Sequence, residues 1–205
     1  MTEAVRTPED ALTGLPDFPF ASHHREVDGL RLAHLDEGQG APVLFMHGEP
    51  TWSFLWRKVI PPVRDAGFRC VSPDLAGFGR SDKPVDIAWY TYDRHTATAS
   101  SLLEDLDLRD ATVVVHDWGG PIGLRLAVEH PDRIARFVIL DTGLFTGRQR
   151  MTDAWIAFSS SAPMICPWAS WCAARARTTP ATRSSPPMTR PFPTPPPRPA
   201  REPFR

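Results

Sequence analysis

The apolar residues of the chain follow two different spacings over the first 140 positions. Short continuous apolar runs, such as residues 43–46 and 113–115, are typical of strands buried on both faces of a sheet. Elsewhere apolar residues recur at helical intervals, as at Leu102, Leu103 and Leu106. Strands that alternate with helices predict the α/β fold class, with a mostly parallel sheet that is covered on both sides.

Turn-forming residues mark where these elements begin and end. Asp28-Gly29 separates two alternating segments and predicts a hairpin turn. Thr51 and Gly67 bound a single predicted helix, with Thr51 as its cap. The predicted order is a hairpin over 23–38, a strand over 41–48, a helix over 51–67, a strand over 68–74, a loop over 77–93, a helix over 94–108, a strand over 111–116, a helix over 119–130 and a strand over 134–141.

The overall composition indicates neither a nucleic-acid nor a membrane partner. The formal net charge of the 205 residues is −1, and no apolar run approaches the ~18 residues of a membrane span. The first residues are polar and acidic, unlike a signal peptide. The three cysteines, Cys70, Cys166 and Cys172, match neither a disulfide framework nor a zinc site, which favours a reduced, cytoplasmic setting.

The composition changes sharply at Pro163 and predicts two regions, 1–162 and 163–205. The second region has 12 Pro and seven Arg among 43 residues, and neither Val nor Leu. Such a segment buries too little apolar surface to offset the cost of ordering, so we predict a disordered tail. Two explanations stay open: a Pro-rich ligand for an SH3-like groove, or a disrupted reading frame near residues 160–168, which the Arg, Pro, Ala, Ser and Thr mixture favours.

The candidate chemistry lies in residues 111–124, where a buried strand runs into a tight turn and a helix. In an open α/β sheet, functional groups collect at the carboxyl ends of strands, and three such ends carry candidates: Glu49, Asp74 and Asp117. Asp117 is followed closely by Gly119 and Gly120, which allow the backbone to fold back tightly. This is the pattern of a nucleophile elbow with Asp as the nucleophile, although Asp117 could also simply cap the helix.

Four segments carry a resemblance to a known family: "HGEPTWSFLWR", "PDLAGFGRSDKP", "VVVHDWGG" and "HPDRIARFVILDTG". Over about residues 20–160 the chain resembles the α/β-hydrolase superfamily and, within it, the first half of the haloalkane dehalogenases. The segment "HDWGG" is shared with epoxide hydrolases, whereas "HGEP" with "TWS" favours the dehalogenases. The resemblance implies an incomplete α/β-hydrolase core, without the cap domain and the last strands, whose strand at 134–141 forms an exposed apolar edge.

The resemblance also implies a role for each residue of the site. Asp117 displaces halide from a small haloalkane and forms an alkyl-enzyme ester, whose hydrolysis yields a primary alcohol. The indole N–H of Trp118 binds the departing halide. Glu49 contributes its backbone N–H, which pairs with that of Trp118 as an oxyanion hole. His47 shapes the turn after its strand. Neither a cofactor nor a metal is implied, and full-length members of the family are expected to be monomers.

Hydrolysis of the ester requires a general base, which in this family is a His near the C-terminus. None of the seven histidines lies beyond His130, so the base His is not present. Asp141, at the end of the strand after the elbow helix, is a possible acid of the site. We therefore expect this chain to be inactive or to react once, leaving a stable ester on Asp117.

Two alternatives to the dehalogenase hypothesis remain. The first is an epoxide hydrolase or another α/β-hydrolase with an Asp nucleophile, which would need tyrosine donors; the two tyrosines, Tyr90 and Tyr92, both precede the elbow. The second is a non-catalytic interaction protein that presents the Pro-rich tail to its partners.

Overall fold

The computed structural model describes residues 2–143 of the chain. The predicted tail at 163–205 and the end of the preceding region therefore lie outside the described residues. The strands are β1 (Ala4–Val5), β2 (His23–Val27), β3 (Leu30–Glu37), β4 (Pro42–Met46), β5 (Arg69–Pro73), β6 (Lys83–Pro84), β7 (Ala111–His116) and β8 (Ile134–Leu140). The α-helices are α1 (Ile60–Asp65), α2 (Tyr92–Asp105) and α3 (Gly119–Glu129), and three short 3₁₀ turns cover Glu9–Leu12, Ser53–Trp56 and Ile87–Trp89.

Six of the strands form one mixed sheet in the order β2-β3-β5-β4-β7-β8. The pairs β5-β4, β4-β7 and β7-β8 are parallel, whereas β2-β3 and β3-β5 are antiparallel. The prediction of an α/β fold with a mostly parallel sheet and an antiparallel start is thereby confirmed. A second, two-stranded pairing of β1 with β6 was not predicted, because strands of two residues carry no readable period.

The sheet is covered on both faces at its central strands β4 and β7, as their continuous apolar runs predicted. One buried cluster joins Leu44, Met46 and Val113 to residues of α2 and α3. The other joins Val43, Phe45 and Val114 to Trp56 and to residues of α1. Since successive residues of a strand point to opposite faces, β4 and β7 each supply both clusters. This packing holds the carboxyl ends of β4, β5 and β7 in fixed relative positions.

The hairpin turn lies where the sequence placed it. Asp28 has a φ of 52° and Gly29 a φ of 77°, and Val27 pairs with Leu30 across the two-residue loop. Positive φ at both central residues matches the right-handed twist of the flanking strands, which is why Asp-Gly is favoured there.

The prediction of a single helix over residues 51–67 is wrong. A 3₁₀ turn over Ser53–Trp56 is followed by a separate helix that begins at Ile60, with prolines in its first turn. Pro61 and Pro62 lack backbone N–H groups, so they are tolerated in the first turn of a helix but not in its interior. Thr51 does not cap this segment; its hydroxyl donates to the Gly48 carbonyl instead. The predicted end at Gly67 is confirmed, with a φ of 90°.

Strand β8 is the outermost strand of the sheet in the part of the chain that the structure describes. It pairs with β7, and Val138, Ile139 and Leu140 are 46%, 56% and 42% exposed. Three consecutive exposed apolar residues on an edge strand form a surface that favours association with other chains. Among the described residues, no helix has both the length and the apolar character needed to cross a membrane.

Candidate active site

The site lies at the carboxyl edge of the sheet, where two neighbouring parallel strands end. Met46 of β4 pairs with Val115 of β7, so the residues that follow the two strands lie side by side. The turn after β4 carries Glu49, and the turn after β7 carries Asp117. The sequence therefore placed these two residues correctly relative to the sheet.

The turn at Asp117 is tight and anchored through its backbone. Asp117 has a φ of 49°, a conformation that is costly for a residue with a side chain. Its N–H donates to the Asp141 carbonyl at 3.1 Å, and its own carbonyl accepts from the Gly120 N–H at 2.9 Å and the Thr142 hydroxyl at 2.6 Å. A Cβ at Gly119 would overlap the carbonyl of Met46, so the small residue after the turn is required by packing. A strained, fixed aspartate at a strand-to-helix turn is the geometry of a nucleophile elbow.

The Asp117 carboxylate is half-buried and faces the turn after β4. Its Oδ1 accepts a hydrogen bond from the backbone N–H of Glu49 at 2.7 Å. A Cβ added to Gly48 would overlap Asp117 Oδ1 and would lie 2.6 Å from the backbone nitrogen of Trp118. The Glu49 amide thus donates to the carboxylate, and the space beside Gly48 is bordered by both Asp117 Oδ1 and the Trp118 backbone nitrogen.

An apolar pocket of about 410 Å³, part of it open to solvent, lies beside these amides. Glu49 and Trp118 line it together with Leu75, Phe78 and Ile122. Tyr92 also lines the pocket, but its hydroxyl donates to the Pro121 carbonyl at 2.8 Å. A mostly apolar wall next to a carboxylate suits a small apolar substrate with one reactive carbon.

His95 is a pocket residue that the sequence reasoning missed. It is 4% exposed and lines the same pocket, and neither ring nitrogen has a hydrogen-bond partner among the described residues. Burial lowers its pKa to about 4, so the imidazole is neutral near pH 7. The sequence signal for this placement was the spacing from Tyr92, which also lines the pocket. The two residues are three positions apart on α2, and residues at i and i+3 share one face of a helix.

His47 holds the turn after β4 and has no free ring nitrogen. It is fully buried; its Nδ1 lies 2.9 Å from the Gly48 carbonyl, and its Nε2 accepts from the Leu75 N–H at 3.0 Å. Burial lowers the pKa of the ring, and these two contacts define a neutral tautomer with the proton on Nδ1. The structural role expected for His47 agrees with this geometry.

The third strand end, at Asp74, does not join the site. Asp74 is 2% exposed, and its two carboxylate oxygens accept from the backbone N–H groups of Ser53 and Arg80, each at 2.9 Å. It therefore fixes two loops, and backbone amides bind both of its carboxylate oxygens.

Asp141 contributes its backbone to the site. Its carbonyl accepts from the Asp117 N–H, while the residue itself is exposed and does not line the pocket. A catalytic role for its carboxylate stays a prediction. Within residues 2–143 there is no group of three or more His, Cys, Asp or Glu that could hold a metal ion.

Comparisons with known proteins agree with this geometry. The family model described as "alpha/beta hydrolase fold" matches residues 41–169. Since this match covers more than half of the chain, the protein belongs to the α/β-hydrolase fold family.

Within that family, the chain is similar to haloalkane dehalogenases. It is 46% identical over 173 residues to the haloalkane dehalogenase of Mycobacterium marinum. The aligned region covers 80% of this chain and 58% of that enzyme. Among solved structures, the tetrameric haloalkane dehalogenase DpaA from Paraglaciecola agarilytica NO2 matches with a TM-score of 0.73 and 37% identity, over 86% of this chain and 62% of that one. The epoxide hydrolase VrEH1 from Vigna radiata matches with a TM-score of 0.61 and 30% identity, over 69% of this chain and 47% of that one.

The chain thus spans somewhat more than half the length of the curated dehalogenases that it matches. The likeness extends through the region that contains the elbow at Asp117 and the turn at Glu49. For this chain, the activity and the substrate of the full-length relatives are therefore proposals.

Proposed function

We propose that this protein is a hydrolase of the haloalkane dehalogenase type, with Asp117 as its nucleophile. The observation that carries the proposal is the placement of the Asp117 carboxylate at a strained elbow, held by the Glu49 amide beside an apolar pocket. The similarity to haloalkane dehalogenases supports the same reaction class. The substrate is a small halogenated alkane.

In the first step, Asp117 Oδ2 attacks the carbon that carries the halogen. The new bond joins that oxygen to the alkyl carbon, and the carbon–halogen bond breaks with its electron pair, releasing halide. The indole of Trp118 lines the pocket, and its N–H is our candidate donor to the departing halide. The product of this step is an alkyl ester on Asp117.

In the second step, water attacks Asp117 Cγ and negative charge develops on Oδ1. The Glu49 N–H already lies 2.7 Å from this oxygen, so the donor is in place before the charge forms. Breaking the Cγ–O bond to the alkyl group releases the alcohol and restores the carboxylate.

The second step also needs a base, and the described residues do not supply one next to Asp117. His47 lies near enough to interact electrostatically with Asp117, but both of its ring nitrogens contact the backbone. No His follows His130 in the sequence. We therefore propose that the 205-residue chain is alkylated once on Asp117 and stops at the ester, without release of the alcohol.

Incubation of the full chain with 1-bromobutane tests the first step. We expect mass spectrometry to find one butyl group, located on the peptide that contains Asp117. The variant Asp117→Asn should gain no adduct. Asp110→Asn is the matched control, because Asp110 also has a positive φ but lies at the opposite end of β7. An adduct on Asp117→Asn equal to that on the native chain would overturn the proposal.

An epoxide hydrolase is the second candidate, favoured by the similarity to the Vigna radiata enzyme. Ring opening by an aspartate needs an acid to protonate the epoxide oxygen. The hydroxyls of Tyr90 and Tyr92, however, donate to the carbonyls of Pro84 and Pro121. Incubation with styrene oxide in place of bromobutane separates the two reactions, because an epoxide hydrolase forms its adduct with the epoxide.

Other sequence predictions stay proposals. The cytoplasmic location and the interaction role of the Pro-rich tail have no support from the described residues. The expectation of a monomer also stays a proposal, because the similar dehalogenase DpaA is a tetramer.

A further inference from the structure

The peptide group between Gly48 and Glu49 is held by an unusual number of donors. Its carbonyl oxygen lies 2.9 Å from His47 Nδ1, 2.9 Å from the Thr51 backbone nitrogen and 2.8 Å from Thr51 Oγ1. A carbonyl oxygen has two lone pairs, so three donors surround it more fully than a backbone carbonyl needs. Two of the three donors are side chains, from His47 and Thr51.

The other end of the same peptide group points at the nucleophile. The N–H of Glu49 donates to Asp117 Oδ1 at 2.7 Å. A trans peptide group is planar, with its C=O and N–H on opposite sides, so donors that fix the carbonyl also fix the direction of the N–H. His47 and Thr51 thus determine where the Glu49 N–H points without touching Asp117.

The same donors also strengthen the Glu49 N–H. Hydrogen bonds to a carbonyl polarise the peptide group, and chains of hydrogen bonds reinforce one another in a buried site. His47 is fully buried and donates from Nδ1, while its Nε2 is occupied by the Leu75 N–H. Gly48 itself is buried, and a side chain there would overlap Asp117, so this peptide group has little room for other orientations.

We propose that His47 and Thr51 are positioning residues, which orient and polarise the Gly48–Glu49 peptide group so that its N–H stabilises the oxyanion formed on Asp117. The inference rests on the proposed function, because the oxyanion belongs to the breakdown of the Asp117 ester. It assigns the two residues to ester breakdown and not to formation of the ester.

The ester on Asp117 allows the two steps to be measured separately. The full chain is alkylated with 1-bromobutane, freed of the reagent, and then treated with hydroxylamine. The nitrogen of hydroxylamine bonds to Asp117 Cγ, the Cγ–O bond to the butyl group breaks, and butanol leaves with a proton from hydroxylamine. The attack passes through an oxyanion on Oδ1 and needs no base from the protein. Mass spectrometry follows both the gain and the loss of the butyl group.

Thr51→Val removes the hydroxyl donor at nearly constant volume, and Thr51→Ser restores it. We expect Thr51→Val to slow ester cleavage by about twofold to tenfold, the value of one hydrogen bond, and Thr51→Ser to recover most of the native rate. Ester formation should not be slowed, because a weaker N–H leaves the attacking carboxylate more nucleophilic.

Thr98→Val is the matched control, since the Thr98 hydroxyl also donates to a backbone carbonyl, that of His95, at 2.9 Å. It should lower the unfolding temperature about as much as Thr51→Val and leave ester cleavage unchanged. Equal slowing of formation and cleavage in Thr51→Val would show general loosening of the turn and overturn the inference. So would a Thr51→Val chain that cleaves the ester at the native rate.

The amide chemical shift of Glu49 provides a test that does not depend on the reaction. We expect Thr51→Val and His47→Asn to move the Glu49 amide proton upfield, and Thr98→Val to leave it in place. If the native chain forms no ester, the proposed function fails while this shift still decides the inference. If the ester forms but neither the shift nor ester cleavage responds to Thr51→Val, the inference alone fails.

Discussion

Asp74 and Asp117 both follow a strand of the same sheet, yet their surroundings give them different capacities. Both oxygens of Asp74 accept backbone N–H groups, and the residue is 2% exposed. Asp117 is half-buried beside a pocket, and one of its two carboxylate oxygens accepts a hydrogen bond from the Glu49 N–H. A carboxylate whose oxygens are both bound by loop amides stabilises the fold, whereas one held at a single oxygen can still react. Position at a strand end is therefore insufficient to identify a nucleophile.

Exchanging each carboxylate for its amide gives the largest expected contrast. Asp117→Asn should lower the rate of ester formation by at least ~10³-fold, because an amide is a poor nucleophile, with little change in unfolding free energy. Asp74→Asn should instead destabilise the fold by about 2–3 kcal/mol, since one loop N–H loses its acceptor. Alkylation rates and urea unfolding of the two variants measure both effects. If Asp117→Asn lost stability while Asp74→Asn did not, the roles assigned to the two carboxylates would be contradicted.

The two glycines that border these carboxylates should show a similar contrast. A Cβ at Gly48 would overlap Asp117, and a Cβ at Gly79 would lie 2.5 Å from Asp74 Oδ2. We expect Gly48→Ala to slow ester formation by about tenfold to a hundredfold, because small displacements of a reacting group are costly. Gly79→Ala, with a φ of 49°, should chiefly lower the unfolding free energy, by about 1–3 kcal/mol. Equal effects of the two substitutions on ester formation would contradict this assignment.

The buried imidazole of His95 predicts a loss of stability in acid. Its pKa is lowered to about 4 by burial, so between pH 6.5 and 4 the unfolded chain binds the proton and the folded chain does not. Stability contributed by this group is therefore complete above pH 6.5 and falls by about 3 kcal/mol as the pH drops to 4. In urea unfolding, His95→Leu should reduce the slope of the unfolding free energy against pH by up to about 1.4 kcal/mol per pH unit.

The same substitution distinguishes an unpaired imidazole from a paired one. At pH 7, His95→Leu should leave the unfolding free energy unchanged or raise it, because the ring has no hydrogen-bond partner among the described residues. His47→Leu should lower it, because two hydrogen bonds are lost. A large loss of stability in His95→Leu at pH 7 would show that its nitrogens are bound in the folded chain.

The smallest expected effect concerns the tyrosine on the pocket wall. Tyr92→Phe removes the hydroxyl that donates to the Pro121 carbonyl, and should cost about 0.5–1.5 kcal/mol in unfolding free energy. Ester formation with bromobutane should stay within about twofold of the native rate, since the hydroxyl is not a donor to the substrate. A much larger loss with styrene oxide than with bromobutane would favour the epoxide hydrolase alternative.

The sequence predicted the features that depend on local patterns. Continuous apolar runs identified the buried strands β4 and β7 and the edge strand β8, and Asp28-Gly29 identified the hairpin turn. The glycines after Asp117 indicated the elbow because a tight turn restricts its own neighbours. The break between the 3₁₀ turn and α1 was missed because the prediction took Thr51 and Gly67 as the two ends of one helix and made no use of Pro61-Pro62.

The contacts that separate Asp74 from Asp117 could not be predicted. The amides of Ser53 and Arg80 reach Asp74 from two different loops, and no local pattern records that convergence. The same holds for His95, whose ring nitrogens have no hydrogen-bond partner within residues 2–143 because of the way α2 packs in the core. Long-range packing, and not residue type, determines which polar groups remain available.

The amount of bromide released per chain measures directly whether Asp117 is alkylated once and retains the ester. The full chain is mixed with excess 1-bromobutane, and bromide is followed over time while the mass of the Asp117 peptide is recorded. We predict a single burst of about one bromide per chain, with a butyl ester retained on Asp117. A single burst of bromide without an ester on Asp117 would contradict its role as nucleophile. Sustained release beyond the burst would show that a base in this chain completes the cycle.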